Sequence, residues 1–186
     1  MDFSAFSHGQ IHSKLWLCEQ LEPYLPKKAN LLILASWYNI LGMILLIRNP
    51  QYTITSIEQN IKSINIANKI CDAWMINNDQ SISNKKGDIH DIDIWDYDCI
   101  INTSVEDIRS SQWYEKIPEG KLVVLQSTNL IQDDVNRYKN WNILNPNPDM
   151  ETFKEKYQMN DIIFEGSKEF DYGDLKYSRY MLIGKK

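Results

Sequence analysis

Short apolar runs alternate along the chain with segments in which apolar residues recur at helical spacing. Runs that are apolar or rich in β-branched residues are typical of sheet strands, and they predict strands at 31–35, 52–57, 98–102 and 121–126. Helical spacing predicts helices at 11–25, 40–47 and 57–71. Pro23 and Pro26 end the first of these helices.

The C-terminal third predicts a different arrangement. A helical segment is followed by two strand-like segments joined through a Gly-containing connection, which indicates an antiparallel hairpin formed by 161–165 and 177–183. Weaker patterns indicate a strand at 80–83, a turn at 85–88, irregular chain at 127–148 and the helical segment itself at 150–157. Because strands and helices alternate before the hairpin, the sequence predicts one doubly wound, mainly parallel α/β domain over residues 1–186, with helices on both faces.

Composition narrows the choice of partners and compartment. Hydrophobic residues make up 43% and charged residues 24% of the chain, an ordinary globular balance. The formal net charge is −5, which makes a nucleic-acid partner unlikely because phosphate binding needs a surface rich in Lys and Arg. Cys18, Cys71 and Cys99 form no CxxC pair, which favours free thiols in a reducing compartment. With no signal-peptide pattern at the start of the sequence, we expect a cytoplasmic protein.

Membrane and metal-binding interpretations find little support in the sequence. Residues 31–47 approach the length of a membrane-spanning helix, but the polar and aromatic stretch at 36–39 divides them into a strand, a turn and a helix. We therefore expect no membrane partner. The three histidines have no metal-ligand spacing, and the acidic run at 88–98 lacks the Gly and terminal Glu of a calcium loop, so no metal is expected.

The ends of the predicted strands indicate which residues are candidates for binding a ligand. In an open α/β sheet, ligands bind beyond the carboxyl ends of the strands. The first strand ends at a loop beginning Ala35, Ser36, Trp37 and Tyr38, and the second ends at Glu58. A carboxylate there can accept hydrogen bonds from both hydroxyls of a ribose. The alternative is that Glu58 opens the following helix, where the helix dipole favours a carboxylate.

Polar side chains also follow the strand at 98–102. Asn102, Thr103 and Ser104 offer an amide and two hydroxyls that can orient a polar substrate. The alternative is helix capping, with Thr103 or Ser104 as the N-cap and Glu106 or Asp107 in the first turn. Asp88, after the predicted third strand, is a further candidate because its carboxylate could accept an adenine amino hydrogen.

Taken in order, these features resemble a compact class I S-adenosylmethionine-dependent methyltransferase over the whole chain. The matching segments are LLILA, ITSIE ending at Glu58, GD at 87–88, DYDCIINTS, IPEGKLVVLQS and the final hairpin. The resemblance implies the strand order 3-2-1-4-5-7-6 in a seven-stranded sheet, S-adenosylmethionine as cofactor, its ribose on Glu58 and the substrate near Asn102. Family members usually carry a Gly-rich loop after the first strand, whereas residues 35–39 here contain no glycine.

The resemblance also implies roles for individual residues. Methyl transfer to a small polar molecule would use Asn102, Thr103, Ser104 and Glu106 to orient the acceptor, with Glu106 as the plausible base. The cofactor would be held by two further sets of residues, Ala35, Ser36, Trp37 and Tyr38 in the loop, and Lys14, Glu58 and Asp88 around it. Residues 1–29 would form a helical segment over the cofactor site, with Lys14 paired to the cofactor's carboxylate; a solvated Lys14 is the alternative.

Two alternative functions remain open on the sequence alone. The Gly-poor loop favours a non-catalytic or regulatory module that binds S-adenosylmethionine or a nucleotide on the same fold. A nicotinamide-dependent enzyme is weaker, because no GxGxxG pattern stands where a pyrophosphate would need it. The sequence names neither the methyl acceptor nor the oligomeric state.

Overall fold

The strands form one seven-stranded sheet, with helices before and between them along the chain. The computed structural model describes residues 1–74, 81–136, 141–171, 173 and 175–186. The strands are β1 Asn30–Leu34, β2 Thr53–Glu58, β3 Ile82–Lys86, β4 Cys99–Asn102, β5 Leu122–Thr128, β6 Asp161–Asp171 and β7 Lys176–Lys185. Their order is β3-β2-β1-β4-β5-β7-β6, which confirms the predicted fold. β1, β2 and β3 pair in parallel, and β7 pairs antiparallel with β5 and β6.

Six α-helices occur among the described residues. They are α1 His8–Leu21, α2 Ile40–Arg48, α3 Ile61–Trp74, α4 Gln112–Glu115, α5 Gln132–Val135 and α6 Met150–Lys156. Short 3-10 helices lie at Phe3–Phe6, Glu22–Tyr24 and Val105–Asp107. The chain divides into two compact units, an N-terminal unit Met1–Ile101 and a C-terminal unit Asn102–Lys186. The single domain expected from the sequence stays a prediction.

The N-terminal unit is organised around β1 and β2. Leu31, Leu32, Ile33 and Leu34 are at most 2% exposed, so the strand is apolar on both faces as predicted. Complete burial of one such side chain stabilises the fold by about 1.5–3 kcal/mol before the entropy of ordering is counted. Because β1 and β2 pair in register up to Leu34 and Ile57, the chain segments that follow both strands emerge at the same sheet edge.

Two predictions within this unit are wrong in detail. The turn expected at 85–88 is strand as far as Lys86, because backbone pairing of Glu58 with Lys86 continues the ladder without any apolar pattern. The first helix is also displaced, since it spans His8–Leu21 and not 11–25. Within it, Ser13, Lys14 and Leu17 are buried whereas Ile11 is only half-buried. Residue 80 of the predicted weak strand lies outside the described residues.

The C-terminal unit extends the predicted hairpin. β6 and β7 contain 11 and 10 residues, well beyond the predicted segments. β6 stands at the end of the strand order and is mostly exposed, so its backbone pairing with β7 determines its length more than burial does. A register shift between Ile162 and Phe164 marks a β-bulge in this pair.

An aromatic cluster forms part of the core of the C-terminal unit. Phe153 on α6 is fully buried, and its ring meets those of Tyr157 and Tyr180 at centroid distances of 5.6 and 6.5 Å. The ring centroids of Trp113 and Tyr157 are 6.0 Å apart. The Tyr114 hydroxyl donates to the carbonyl of Gln158 at 2.7 Å, which ties α4 to the end of α6.

None of the helices in the described ranges combines the length and the apolar character needed to cross a membrane. No group of three or more His, Cys, Asp or Glu side chains in the same ranges is arranged to hold a metal ion. Cys18, Cys71 and Cys99 are buried free thiols.

Candidate functional site

The loop between β1 and α2 has an unusual backbone. Ala35, Trp37 and Asn39 have φ angles of 50°, 50° and 51°, so every second residue is left-handed. This conformation costs an L-residue roughly 1–2 kcal/mol, whereas glycine adopts it freely. The loop therefore has the alternating geometry that glycines would favour, built from residues with side chains.

Backbone hydrogen bonds fix this loop against β2. The Ser36 amide donates to the Ile57 carbonyl at 3.1 Å, and the Trp37 amide donates to Glu58 Oε2 at 2.9 Å. Within the loop, the Asn39 amide donates to the Ser36 carbonyl at 2.8 Å. The end of β2 thus holds the part of the loop that follows β1.

We expect Ala35→Gly to raise the free energy of unfolding by about 1 kcal/mol, because it relieves the left-handed strain at φ 50°. Urea unfolding followed by circular dichroism measures the change. The control is Ala67→Gly, buried within α3, where glycine should destabilise by about 1 kcal/mol. Destabilisation by both substitutions would contradict the expectation.

Glu58 lies at the centre of this arrangement. Its half-buried carboxylate accepts the Trp37 amide at Oε2 and the Asn60 amide at Oε1, both at 2.9 Å. Each carboxylate oxygen has two lone pairs, so each retains one acceptor position. Glu58 does not cap the next helix: Asn60 does, since its Oδ1 accepts the Lys62 amide at 3.0 Å. Glu58 thus ends β2, and the next helix begins three residues later, at Ile61.

Asp88 follows β3 and lines a cavity beside it. The cavity has a volume of about 410 Å³, and its wall includes Ile57, Gly87, Asp88 and Ile92. Asp88 Oδ1 accepts the His90 amide at 2.9 Å, and Oδ2 accepts from the Gln59 side chain at 2.8 Å. The bond from the His90 amide is the main cause of the lowered pKa of Asp88, which keeps this carboxyl ionised.

The N-terminal segment reaches the same loop. Asp2 donates its amide to the Tyr38 hydroxyl at 3.0 Å, and Ala5 packs with Tyr38 in one buried cluster. The rings of Trp37 and Tyr38 lie 4.9 Å apart. Lys14, 9% exposed, donates to the carbonyl and side-chain oxygens of Gln10, so the solvated alternative for Lys14 is wrong.

In the C-terminal unit, the predicted site residues stand at the end of β4 and directly after it. Asn102 is fully buried and accepts the Ser104 amide at 3.0 Å through Oδ1. Its Nδ2 has no hydrogen-bond partner among the described residues. Ser104 precedes the 3-10 helix Val105–Asp107, but its side chain makes no capping bond there, which removes one support for the capping alternative. The Thr103 carbonyl accepts from Arg179 Nη1 at 3.2 Å.

Glu106 is 2% exposed and belongs to a buried polar cluster. Burial raises its pKa and the nearby Asp107 carboxylate adds to this, while Arg179 and a hydrogen bond with Ser127 oppose it. Arg179 Nη1 lies 3.9 Å from Glu106 Oε1, and Asn147 donates to Ser127 Oγ at 2.7 Å. The raised pKa makes the Glu106 carboxylate a stronger base than an ordinary glutamate.

The structure thus gathers the predicted site residues into two sets. Within the N-terminal unit, the loop residues lie against Glu58, and Asp88 follows the neighbouring strand. Within the C-terminal unit, Asn102, Thr103, Ser104 and Glu106 are close in the chain. Sequence reasoning missed Ser127, Asn147 and Arg179, although a charged residue inside the apolar segment 177–183 was a usable signal for Arg179.

Comparison with known proteins identifies the fold. No protein-family model and no curated protein matches the chain. MccD protein gives a TM-score of 0.72 at 12% identity over 96% of this chain and 98% of its own. Coclaurine N-methyltransferase, bound to N-methylheliamine and SAH, gives 0.71 at 10% identity over 95% and 72%. Geranyl diphosphate methyltransferase in complex with SAM gives 0.67 at 8% identity over 92% and 84%. The chain has the fold of the class I S-adenosylmethionine-dependent methyltransferases.

Proposed function

We propose that this chain binds S-adenosylmethionine and transfers its methyl group to a small polar molecule. The observation that carries the proposal is the alternating left-handed loop after β1, joined to Glu58 at the end of β2 through the Trp37 amide. The arrangement combines a tightly turning backbone with a carboxylate that still has acceptor positions for hydrogen bonds. Both lie on a fold shared with methyltransferases.

The residues of the N-terminal unit fit the parts of the cofactor. Glu58 would accept the ribose hydroxyls at its remaining lone pairs, and Asp88 would accept the adenine amino group at the cavity beside β3. The small side chains of Ala35 and Ser36 would leave room for the methionine portion, with Trp37 and Tyr38 packing over it. Lys14 would pair with its carboxylate, and the 1–29 segment would cover the site.

The residues after β4 would act on the acceptor. The bound cofactor supplies a methyl group already activated by a positively charged sulfur, so the protein contributes alignment more than a nucleophile. Asn102 offers an unpartnered buried amide donor within the described structure, and Thr103 and Ser104 would orient the acceptor beside it. Glu106, in the ionised form that predominates above its raised pKa, would accept the proton that the acceptor loses as it gains the methyl group.

Calorimetric titration with S-adenosylmethionine and S-adenosylhomocysteine tests the proposal. We expect micromolar binding, weakened about tenfold or more by Glu58→Gln, which removes the charge that strengthens hydrogen bonds to ribose hydroxyls. Glu19→Gln, an exposed carboxylate change on α1, is the matched control and should bind as the wild type does. An absence of heat and of any thermal shift with both ligands would overturn the proposal.

A non-catalytic binding module of the same fold is the second candidate. It is favoured by the bulky Trp37 within the loop and by the backbone amides that both Glu58 oxygens already accept. Cofactor binding without turnover across a panel of amine, hydroxyl and thiol acceptors would favour this candidate over the enzyme.

We further propose that residues 1–186 act as one domain in the cytoplasm. The support for this compartment is the set of buried free thiols at Cys18, Cys71 and Cys99, which a reducing environment maintains.

A further inference from the structure

A chain of side-chain hydrogen bonds connects the β1–α2 loop to strands β2 and β3 and to α3. Asn84 on β3 is its branch point. Its Oδ1 accepts from Asn39 Nδ2 at 2.8 Å and from the Ser56 hydroxyl at 2.7 Å. Its Nδ2 donates to Asn68 Oδ1 at 2.9 Å. Asn39 and Ser56 are 0% and 1% exposed, so water cannot readily replace these bonds.

Asn39 uses its side-chain amide in two directions. Its Oδ1 accepts the Gly42 amide at 3.2 Å and so caps α2, while its Nδ2 reaches Asn84. A Cβ at position 42 would come within 2.4 Å of Asn39 Oδ1, so Gly42 leaves the space that this amide needs. Asparagine also tolerates the left-handed backbone better than most residues. Asn39 therefore couples the left-handed end of the loop to the network.

We propose that Asn84 is a positioning residue that fixes the left-handed β1–α2 loop and thereby sets the affinity for S-adenosylmethionine. The link to affinity rests on the proposed function. Glu58 holds the middle of the loop through the Trp37 amide, and Asn84 holds its end through Asn39. Glycines would leave the loop free to adopt many backbone geometries, whereas these two side chains hold it in one. Holding the loop in one geometry lowers the entropy lost when a ligand binds.

Single substitutions can remove individual hydrogen bonds of this network. Variants can therefore distinguish a positioning role of Asn84 from a contribution to packing. Asn84→Ala removes the partner of Asn39, whereas Asn84→Asp keeps an acceptor for both Asn39 and Ser56 and loses the donor to Asn68. Asn68→Ala removes an exposed residue at the far end and leaves the bond between Asn39 and Asn84 intact, so it is the matched control.

Amide hydrogen exchange measured by NMR tests the positioning role without any ligand. The amides of Asn39 and Gly42 report on the loop, since they donate to the Ser36 carbonyl and to Asn39 Oδ1. We expect Asn84→Ala to accelerate their exchange about tenfold or more, with little change in Asn84→Asp and Asn68→Ala. If Asn84→Ala does not fold, Asn39→Gly gives the comparison at the amide of residue 39, whose acceptor, the Ser36 carbonyl, is left in place, because glycine keeps the backbone and loses the network. Unchanged exchange in the cut variants would overturn the proposal.

Calorimetry with S-adenosylmethionine tests the link to affinity. We expect about tenfold weaker binding in Asn84→Ala and wild-type binding in Asn84→Asp and Asn68→Ala. Faster exchange with unchanged affinity would overturn the link. If the wild type itself does not bind, the proposed function fails and the link to affinity fails with it, while the exchange rates still decide whether Asn84 fixes the loop.

Discussion

Replacing Phe153 by alanine is expected to lower the free energy of unfolding by about 3–5 kcal/mol. Phe153 is 0% exposed, and its ring is enclosed by those of Tyr157 and Tyr180. Removing it takes away the hydrophobic contribution of the ring and leaves a cavity that α6, held by its cap at Asp149, can fill only in part. The loss should therefore be among the largest that a single substitution causes in this chain.

Urea unfolding followed by far-ultraviolet circular dichroism measures this change. Phe3→Ala is the matched control, because Phe3 is 77% exposed and its replacement should change the free energy of unfolding by less than about 0.5 kcal/mol. A loss of only about 1 kcal/mol in Phe153→Ala would show that the aromatic cluster repacks around the missing ring.

The parts of the fold that burial determines could be predicted from the sequence. Residues 31–34 of β1 and 99–102 of β4 are buried throughout, and both appear in the sequence as unbroken runs of mostly apolar residues. The order of the seven strands came from the resemblance to a known family, not from periodicity, and the structure confirms it. Apolar pattern predicts which segments are buried, but it does not say which strands pair.

The strands at the two ends of the sheet show what the pattern misses. β3 has the sequence ISNKK and no fully buried residue, so backbone pairing with β2 is what makes it a strand. β6 likewise extends to Asp171 through charged and small residues because β7 offers a continuous partner. Hydrogen-bond pairing between distant segments leaves no local signal in the sequence.

The residues of the candidate site likewise fall into those that the sequence predicts and those that it does not. Ala35 and Glu58 could be proposed because each follows a predicted strand directly. Asn84 and Ser56 could not, because they lie inside strands. The two residues that donate to Asn84 Oδ1, Asn39 and Ser56, are 45 and 28 residues away from it along the chain. A buried polar side chain within a strand usually has a polar partner, but a single sequence does not identify it.

Replacing Glu106 by glutamine is expected to stabilise the protein at neutral pH and to have little effect below pH 4.5. The pKa of Glu106 is raised from its ordinary value of 4.5, mainly by burial. Between that value and the raised pKa, the folded protein keeps a proton that the unfolded chain has released. The favourable contribution of Glu106 is therefore complete below pH 4.5 and is lost as the pH rises through the raised pKa. The substituted glutamine side chain cannot ionise, so the variant avoids this loss.

The stability difference between Glu106→Gln and the wild type should widen with pH by up to about 1.4 kcal/mol per pH unit, reaching about 2 kcal/mol or more at pH 7. Urea unfolding at pH 5, 6, 7, 8, 9 and 10 measures it, so that the series extends above the raised pKa of about 8. Glu119→Gln, an exposed carboxylate change in the same unit, is the control and should give a difference that stays within about 0.5 kcal/mol.

Arg179 provides a second test of what sets the raised pKa of Glu106. Its guanidinium lies 3.9 Å from the Glu106 carboxylate and lowers the pKa of Glu106, in opposition to burial. In an Arg179→Met background the pKa of Glu106 should therefore be higher, and the stabilisation by Glu106→Gln should keep growing at pH values where it has levelled off in the wild-type background. Parallel pH profiles in the two backgrounds would contradict a charge interaction between these side chains, and a flat profile in both would contradict the raised pKa itself.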